Sequence, residues 1–68
     1  MLGYGFKIKV LRDRLGLTQK EMSELLAVNI ETVRRWEQNK KIPSLKNMII
    51  INFLMKNCNK IKIVKDKN

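Results

Sequence analysis

The sequence predicts an all-α fold of four to five short helices in one small domain. Apolar residues recur at helical spacing along most of the chain, and Gly, Asn and Pro stand where these stretches break. The length of 68 residues is about half the most common domain size. At this length roughly 40% of the surface of the unfolded chain stays in water, so the core is small.

The first predicted helix ends at Gly16. An apolar stripe recurs at i, i+4, i+7 and i+11 and consists of Tyr4, Ile8, Leu11 and Leu15. Glycine adopts the left-handed backbone conformation at which helices often end. The stripe and the glycine together predict a helix up to Leu15.

The second predicted helix begins after Thr18. Glu21 follows Thr18 at the spacing at which the two residues cap each other's backbone amides. Three apolar residues are expected to face inward, namely Met22, Leu25 and Leu26. Residues 27–29 leave only a short turn before the next helix, so the second and third helices should meet at a sharp angle.

The third predicted helix, residues 30 to about 39, has two chemically different faces, and Asn29 is its expected N-cap. At 100° per residue, Val33, Trp36 and Glu37 fall on the buried side, with Ile30 at the border. The opposite face carries polar residues: Glu31, Arg34, Arg35 and Gln38. An unpaired charge on the buried side would cost several kcal/mol, so Glu37 needs a partner.

Pro43 breaks the chain before a fourth predicted helix, which Ser44 caps and which runs from Leu45 to about Met55. This helix is apolar on more than one side, and the surplus predicts a partner surface or a covering tail.

The predicted organisation is a domain over residues 1–56 and a basic tail over residues 57–68 that could join a dimer interface. Residues 60–63 alternate as a half-buried strand would. A short strand, a fifth helical turn and a frayed end remain alternatives for the tail.

Charge and missing residue types limit the function. The chain has 15 Lys and Arg against 6 Asp and Glu, a net charge of +9, which favours nucleic acid over an acidic membrane as the partner. With no His and only Cys58, it lacks the residues of a structural zinc site and of Ser-His-Asp or Cys-His catalysis. Its longest apolar stretch is far shorter than the roughly 20 residues of a membrane span. We therefore expect a cytoplasmic binding domain that is not an enzyme and needs no metal or cofactor.

Two short helices joined by a tight turn, the second with a basic outer face, match the geometry that places a recognition helix in the major groove of DNA. Residues 16–44 resemble the helix-turn-helix core of the phage repressor and Cro type, the XRE family. The resemblance is carried by Leu17-Thr18-Gln19, by Val33-Arg34-Arg35-Trp36-Glu37 and by residues 40–43. It covers residues 4 to 55 with the first helix, and it implies a lambda-repressor-like bundle.

The resemblance and the exposed face of the third helix give nine expected DNA-binding residues: Gln19, Asn29, Ile30, Glu31, Arg34, Arg35, Gln38, Lys40 and Lys41. Gln19 matches a glutamine that meets a phosphate and braces the recognition helix. Lys40 and Lys41 match a loop that grips phosphates. The resemblance also implies a structural ion pair between Glu37 and Arg12.

Side-chain chemistry separates the roles of the residues expected to face bases. Arg35 is the first choice for a forked contact to guanine O6 and N7, and Ile30 can pack on a thymine methyl group. Glu31 either accepts from cytosine N4 or pairs with Arg35 at i+4, and the pair is favoured.

The sequence departs from the family pattern at two turns. The family often has glycine where Ala27 and Asn39 stand. Asparagine visits the left-handed region readily, whereas alanine there costs on the order of 1 kcal/mol.

The predicted function is sequence-specific binding to double-stranded DNA by a homodimer that acts as a transcriptional repressor on a palindromic operator. The alternative is an antitoxin-type module whose main partner is a toxin protein.

Overall fold

The structure, a computed structural model, describes residues 3–58, which form four helices and, within this range, no strand. The helices are α1 (Tyr4–Leu15), α2 (Gln19–Leu26), α3 (Ile30–Glu37) and α4 (Leu45–Asn57). The predicted all-α helix-turn-helix bundle is therefore confirmed. The strand, fifth-turn and frayed-end alternatives for the tail concern residues 59–68, which lie outside the described residues.

The core forms where α1 packs against α3 and α4 and where α2 packs against α3. Its largest fully buried side chains come from all four helices: Ile8, Leu11, Met22, Val33, Trp36 and Ile51. The apolar stripe of α1 faces this core as predicted, with Tyr4 partly buried at its edge.

Three of the four helices end in the same left-handed turn, at Gly16 (φ 68°), Ala27 (φ 56°) and Asn39 (φ 60°). After α3, the Lys40 N–H donates to the Arg35 carbonyl at 2.9 Å and the Asn39 N–H donates to the Trp36 carbonyl at 3.0 Å. This pair of bonds satisfies carbonyls that the helix end would otherwise leave free. The left-handed turn therefore forms at both positions where the family often has glycine. At Ala27 it is strained, because the Cβ crowds the backbone in this conformation.

Side chains cap the N-termini of α2, α3 and α4. Thr18 and Glu21 form the predicted capping box at α2. Asn29 Oδ1 accepts from the Glu31 N–H at 3.0 Å, and Ser44 Oγ accepts from the Asn47 N–H at 3.4 Å. These caps fix where each helix begins and therefore which residues of α3 face outward.

The prediction that Leu25 faces inward is wrong, since 44% of this residue is exposed. The core lies on the other side of α2, where Ser23 is buried beside Met22 and Leu26. The Ser23 hydroxyl donates to the Lys20 carbonyl at 2.6 Å, which satisfies it within its own helix. Ser23, a small residue, therefore occupies the inward position at the helix contact that the periodicity assigned to Leu25.

Two predicted helix ends also shift. α3 ends at Glu37, because residues 38 and 39 form the turn, and α4 continues two residues past Met55. Cys58, which follows α4, is buried in the core.

The outer side of α4 carries an apolar stripe in water. Leu45, Ile49 and Phe53, which we call the α4 stripe, recur every four residues and are 74%, 61% and 62% exposed. The predicted surplus of apolar residues on this helix is therefore present. None of the helices within residues 3–58 has the length and hydropathy needed to cross a bilayer.

Candidate nucleic-acid interface

The two faces of α3 separate as the periodicity predicted. Val33, Trp36 and Glu37 are buried, whereas Arg34 and Arg35 are exposed. With 2% of its surface exposed, Trp36 is packed in the core and cannot stack on a base. The outer face thus presents two guanidinium groups on a helix whose other side is fixed in the protein.

The expected pairing of Glu31 with Arg35 is wrong. Glu31 Oε1 instead accepts from Arg34 Nη1 at 3.2 Å, one helical turn away at i+3. Positions i+3 and i+4 both lie beside residue i on a helix, so sequence spacing alone does not choose between the two arginines. Within residues 3–58, the Arg35 guanidinium makes no hydrogen bond or ion pair.

The Glu37 carboxylate holds α3 to α1 and α2. Its carboxylate, only 3% exposed, accepts from Arg12 Nε at 2.8 Å and from Arg12 Nη2 at 3.2 Å. It also accepts from Gln19 Nε2 at 3.0 Å. We call Arg12, Gln19 and Glu37 the Glu37 network. Three donors from α1 and α2 therefore hold one buried carboxylate of α3.

Arg12 extends the Glu37 network to the turn between α1 and α2. Its remaining Nη1 donates to the Leu17 carbonyl at 3.1 Å. One guanidinium therefore binds the end of α3 and the segment that leads into α2, which fixes these elements relative to one another. Charge-assisted, forked geometry of this kind is both strong and specific in direction.

Gln19 lies in the first turn of α2, with its side chain partly exposed. The capping box satisfies the Glu21 amide, while the backbone N–H groups of Gln19 and Lys20 have no acceptor within the described part of the chain. Free amides at a helix N-terminus are suited to binding an anion. Gln19 thus joins the Glu37 network to the end of α2 that could receive a phosphate.

The N-terminus of α3 presents Asn29, which is exposed, and Ile30, which is half-buried. Asn29 Oδ1 accepts the capping bond, and the NH₂ group of the same side chain can donate outward. Ile30 offers a short apolar surface beside it.

The segment after α3 presents Gln38, Lys40 and Lys41, all of them exposed. The left-handed turn at Asn39 directs the chain away from the helix axis before the two lysines. The nine predicted DNA-binding residues thus occupy three successive parts of the chain: the first turn of α2, α3 with its N-cap, and the loop after α3.

Two features of the site were missed from the sequence. The Gln19 bond to Glu37 has no sequence signature, because it joins residues from two helices whose separation only the fold sets. The second is a hydrogen bond from the Gly5 N–H to Asn39 Oδ1 at 3.2 Å. Its only sequence signal is asparagine at a position suited to the left-handed turn. Among the described residues, no three carboxylate or thiol side chains lie together as metal ligands would.

Comparison with known proteins agrees with this geometry. A family model described as "Helix-turn-helix" matches residues 8–52. The family, of the XRE type, comprises DNA-binding regulatory domains and is not a family of enzymes. No curated protein and no solved structure matches the chain.

Proposed function

Because the chain belongs to the helix-turn-helix family of DNA-binding transcription regulators, we propose that it reads a specific duplex sequence through α3. In this proposal it acts as a homodimeric repressor. The observation that carries the proposal is the division of α3 into a buried face held by Glu37 and an exposed face with an unengaged Arg35. A net charge of +9 adds general attraction to the phosphate backbone.

The proposal assigns base reading to the outer face of α3 and phosphate contact to its surroundings. Arg35 is free to fork onto a guanine, since Glu31 is engaged by Arg34. Gln19, Lys40 and Lys41 flank the helix and position it on the backbone. Phosphate contacts fix register, whereas contacts to base edges carry sequence information.

Selection of bound sites from random duplex DNA, followed by affinity measurement against salt, tests the assignment. We expect Arg35→Ala to reduce discrimination between the selected site and its variants by about 1–3 kcal/mol. Lys40→Ala should weaken binding to all sequences alike and lower the salt slope by about one.

Lys56→Ala is the matched control. It removes the same charge from an exposed residue near the far end of α4, roughly 16 Å along the helix axis from Leu45. It should change neither discrimination nor, beyond a small effect of net charge, affinity. Equal losses on every sequence from Arg35→Ala would remove Arg35 from base reading, and selection that enriches no site would refute specific recognition.

The α4 stripe supports a homodimer. Exposure of three large apolar side chains in a row on one helix face is unfavourable in water, and covering them with a matching face lowers the free energy. A two-fold arrangement through this stripe would present two copies of α3 to one duplex. From that symmetry we expect a palindromic operator. Its half-sites should lie about 34–36 Å apart, which is one turn of DNA.

Sedimentation of the chain, free and bound to its selected site, tests the dimer. Ile49→Glu should give monomers, because it places a charge in the middle of the stripe. Leu25→Glu is the control, since it adds the same charge at an exposed leucine of α2. Wild-type chain that sediments as a monomer both free and on DNA would refute the homodimer. It would favour the antitoxin alternative, in which the stripe binds a toxin protein.

Repression is the outcome that binding alone can produce, because an occupied operator within a promoter blocks access to it. A reporter gene whose promoter contains the selected site should lose transcription when the chain is expressed. Arg35→Ala should restore transcription. A rise in transcription with the wild-type chain would identify an activator instead.

A further inference from the structure

The Asn39 side chain joins the end of α3 to the start of α1. Its Oδ1 accepts from the Gly5 N–H at 3.2 Å, across 34 positions of sequence. Gly3, the N-cap of α1, has no side chain with which to cap the helix. Asn39 therefore supplies, from a distant part of the sequence, the acceptor that the local sequence lacks.

The contact is close because Gly5 has no side chain. A Cβ at this position would lie 2.7 Å from the Trp36 carbonyl oxygen and 2.8 Å from that of Glu37. It would also lie 2.7 Å from Asn39 Oδ1. Glycine thus allows the first turn of α1 to rest directly on the last carbonyls of α3. The positive end of one helix dipole meets the negative end of the other, which is a favourable arrangement.

Asn39 meets two requirements at one position. Its backbone adopts the left-handed turn that ends α3 (φ 60°), which asparagine tolerates better than most residues. Its side chain caps α1. Glycine at the same position would meet the first requirement and fail the second.

We propose that Asn39 is a positioning residue for DNA binding, an inference that rests on the proposed function. The two lysines assigned to phosphate contact follow Asn39 directly, and the last turn of α3 precedes it. By bonding to α1, the Asn39 side chain holds the end of the recognition helix and the beginning of the lysine loop in the place that they occupy on DNA. Without this bond, the end of α3 and the two lysines would become ordered only on binding, and the entropy lost in that ordering would lower the affinity.

The experiment compares Asn39→Gly with the wild-type chain and with Ile8→Val. Asn39→Gly keeps the left-handed turn and removes only the acceptor. We expect its Gly5 amide to exchange with solvent faster. We also expect its affinity to fall roughly twofold to tenfold, the range of one net hydrogen bond. The fall should be equal on the selected site and on random duplex, and the salt slope should decrease by about one, because a lysine contact weakens.

Two comparison variants, Ile8→Val and Asn39→Asp, separate positioning from a general loss of stability. Ile8→Val removes one methyl group from a fully buried core residue of α1 and lowers stability without touching Asn39, so DNA affinity should be unchanged. Asn39→Asp keeps a side-chain acceptor, so Gly5 should stay protected. Loss of protection in Asn39→Asp, or wild-type protection in Asn39→Gly, would show that the bond does not form and would overturn the inference.

The DNA measurements distinguish failure of the positioning role from failure of the proposed function. If Asn39→Gly exposes the Gly5 amide but binds DNA with wild-type affinity and salt slope, the positioning role is wrong while the proposed function stands. An equal affinity loss in Ile8→Val would likewise reduce Asn39 to a structural residue. If the wild-type chain itself prefers no duplex, the proposed function fails, and this inference fails with it.

Discussion

Removing Arg12 and then neutralising Glu37 should first destabilise the protein and then restore part of the loss. Arg12→Met retains the apolar stem of the side chain but withdraws both guanidinium bonds from Glu37. The carboxylate is 3% exposed and would keep only the Gln19 amide as a donor. A second substitution, Glu37→Gln, removes the charge that has lost its partner.

The burial of the pair sets the expected magnitudes. Breaking a buried ion pair by removing one partner costs about 3–5 kcal/mol, which we expect for Arg12→Met. Glu37→Gln alone should cost less, about 1–3 kcal/mol, because Arg12 is 25% exposed and can turn to water. In the double variant the buried group is a neutral amide. We therefore expect it to be about 1–2 kcal/mol more stable than Arg12→Met alone.

Urea unfolding followed by fluorescence measures these differences. Trp36 is the single tryptophan, is buried in the core, and lies next to Glu37 in sequence, so its emission reports loss of the fold. A 68-residue domain has a free energy of unfolding of about 3–10 kcal/mol. Sulfate in the buffer would keep Arg12→Met folded at the start of the titration.

A double variant less stable than Arg12→Met, with the two single losses adding, would refute the reasoning. Additivity would mean that Arg12 and Glu37 act independently and that the Glu37 charge is not what makes Arg12 necessary. Gln19→Ala provides a comparison within the same network, since it removes the one remaining donor and should lower the stability of Arg12→Met further.

Three further stability predictions can be checked by thermal unfolding. Ala27→Gly should raise the free energy of unfolding by about 1 kcal/mol, or the midpoint by about 4–8 °C, because it removes left-handed strain at an exposed residue; a lower midpoint would contradict this. Thr18→Ala should cost about 1 kcal/mol through loss of the capping box, and no change would show that Glu21 alone sustains the cap. Met22→Ala should cost about 2–5 kcal/mol and Leu25→Ala less than about 1 kcal/mol, and a reversed order would place the core on the other side of α2.

Local chemistry was sufficient to predict the helices and their caps. The left-handed stop at Gly16 and the capping box at Thr18 depend on residues adjacent in sequence, where few alternatives compete. The orientation of α3 was also predictable, because its apolar and charged residues separate cleanly around the helix. Glu37 had to find a partner, and the family resemblance identified Arg12.

Side-chain partners chosen by the tertiary structure were harder to predict. Leu25 and Ser23 lie on either side of the apolar pair of α2, and only the direction of packing against α3 decides which one is buried. Glu31 had two arginines within reach, at i+3 and i+4, and it forms its ion pair with Arg34 at i+3. The bond between Gly5 and Asn39 depends on how closely two helix ends approach, which no periodicity in either segment encodes.

Under the proposed function, the separation of buried and exposed residues on α3 means that its DNA sequence preference could be changed independently of its packing. The side chains that hold the helix are Val33, Trp36 and Glu37, and none of them overlaps with the outward set that includes Arg34 and Arg35. New outward residues could therefore be grafted onto this backbone to retarget it to another site without disturbing the fold. Under that function, substitutions at the outward positions could change which DNA sequence is bound while the buried positions maintain the fold.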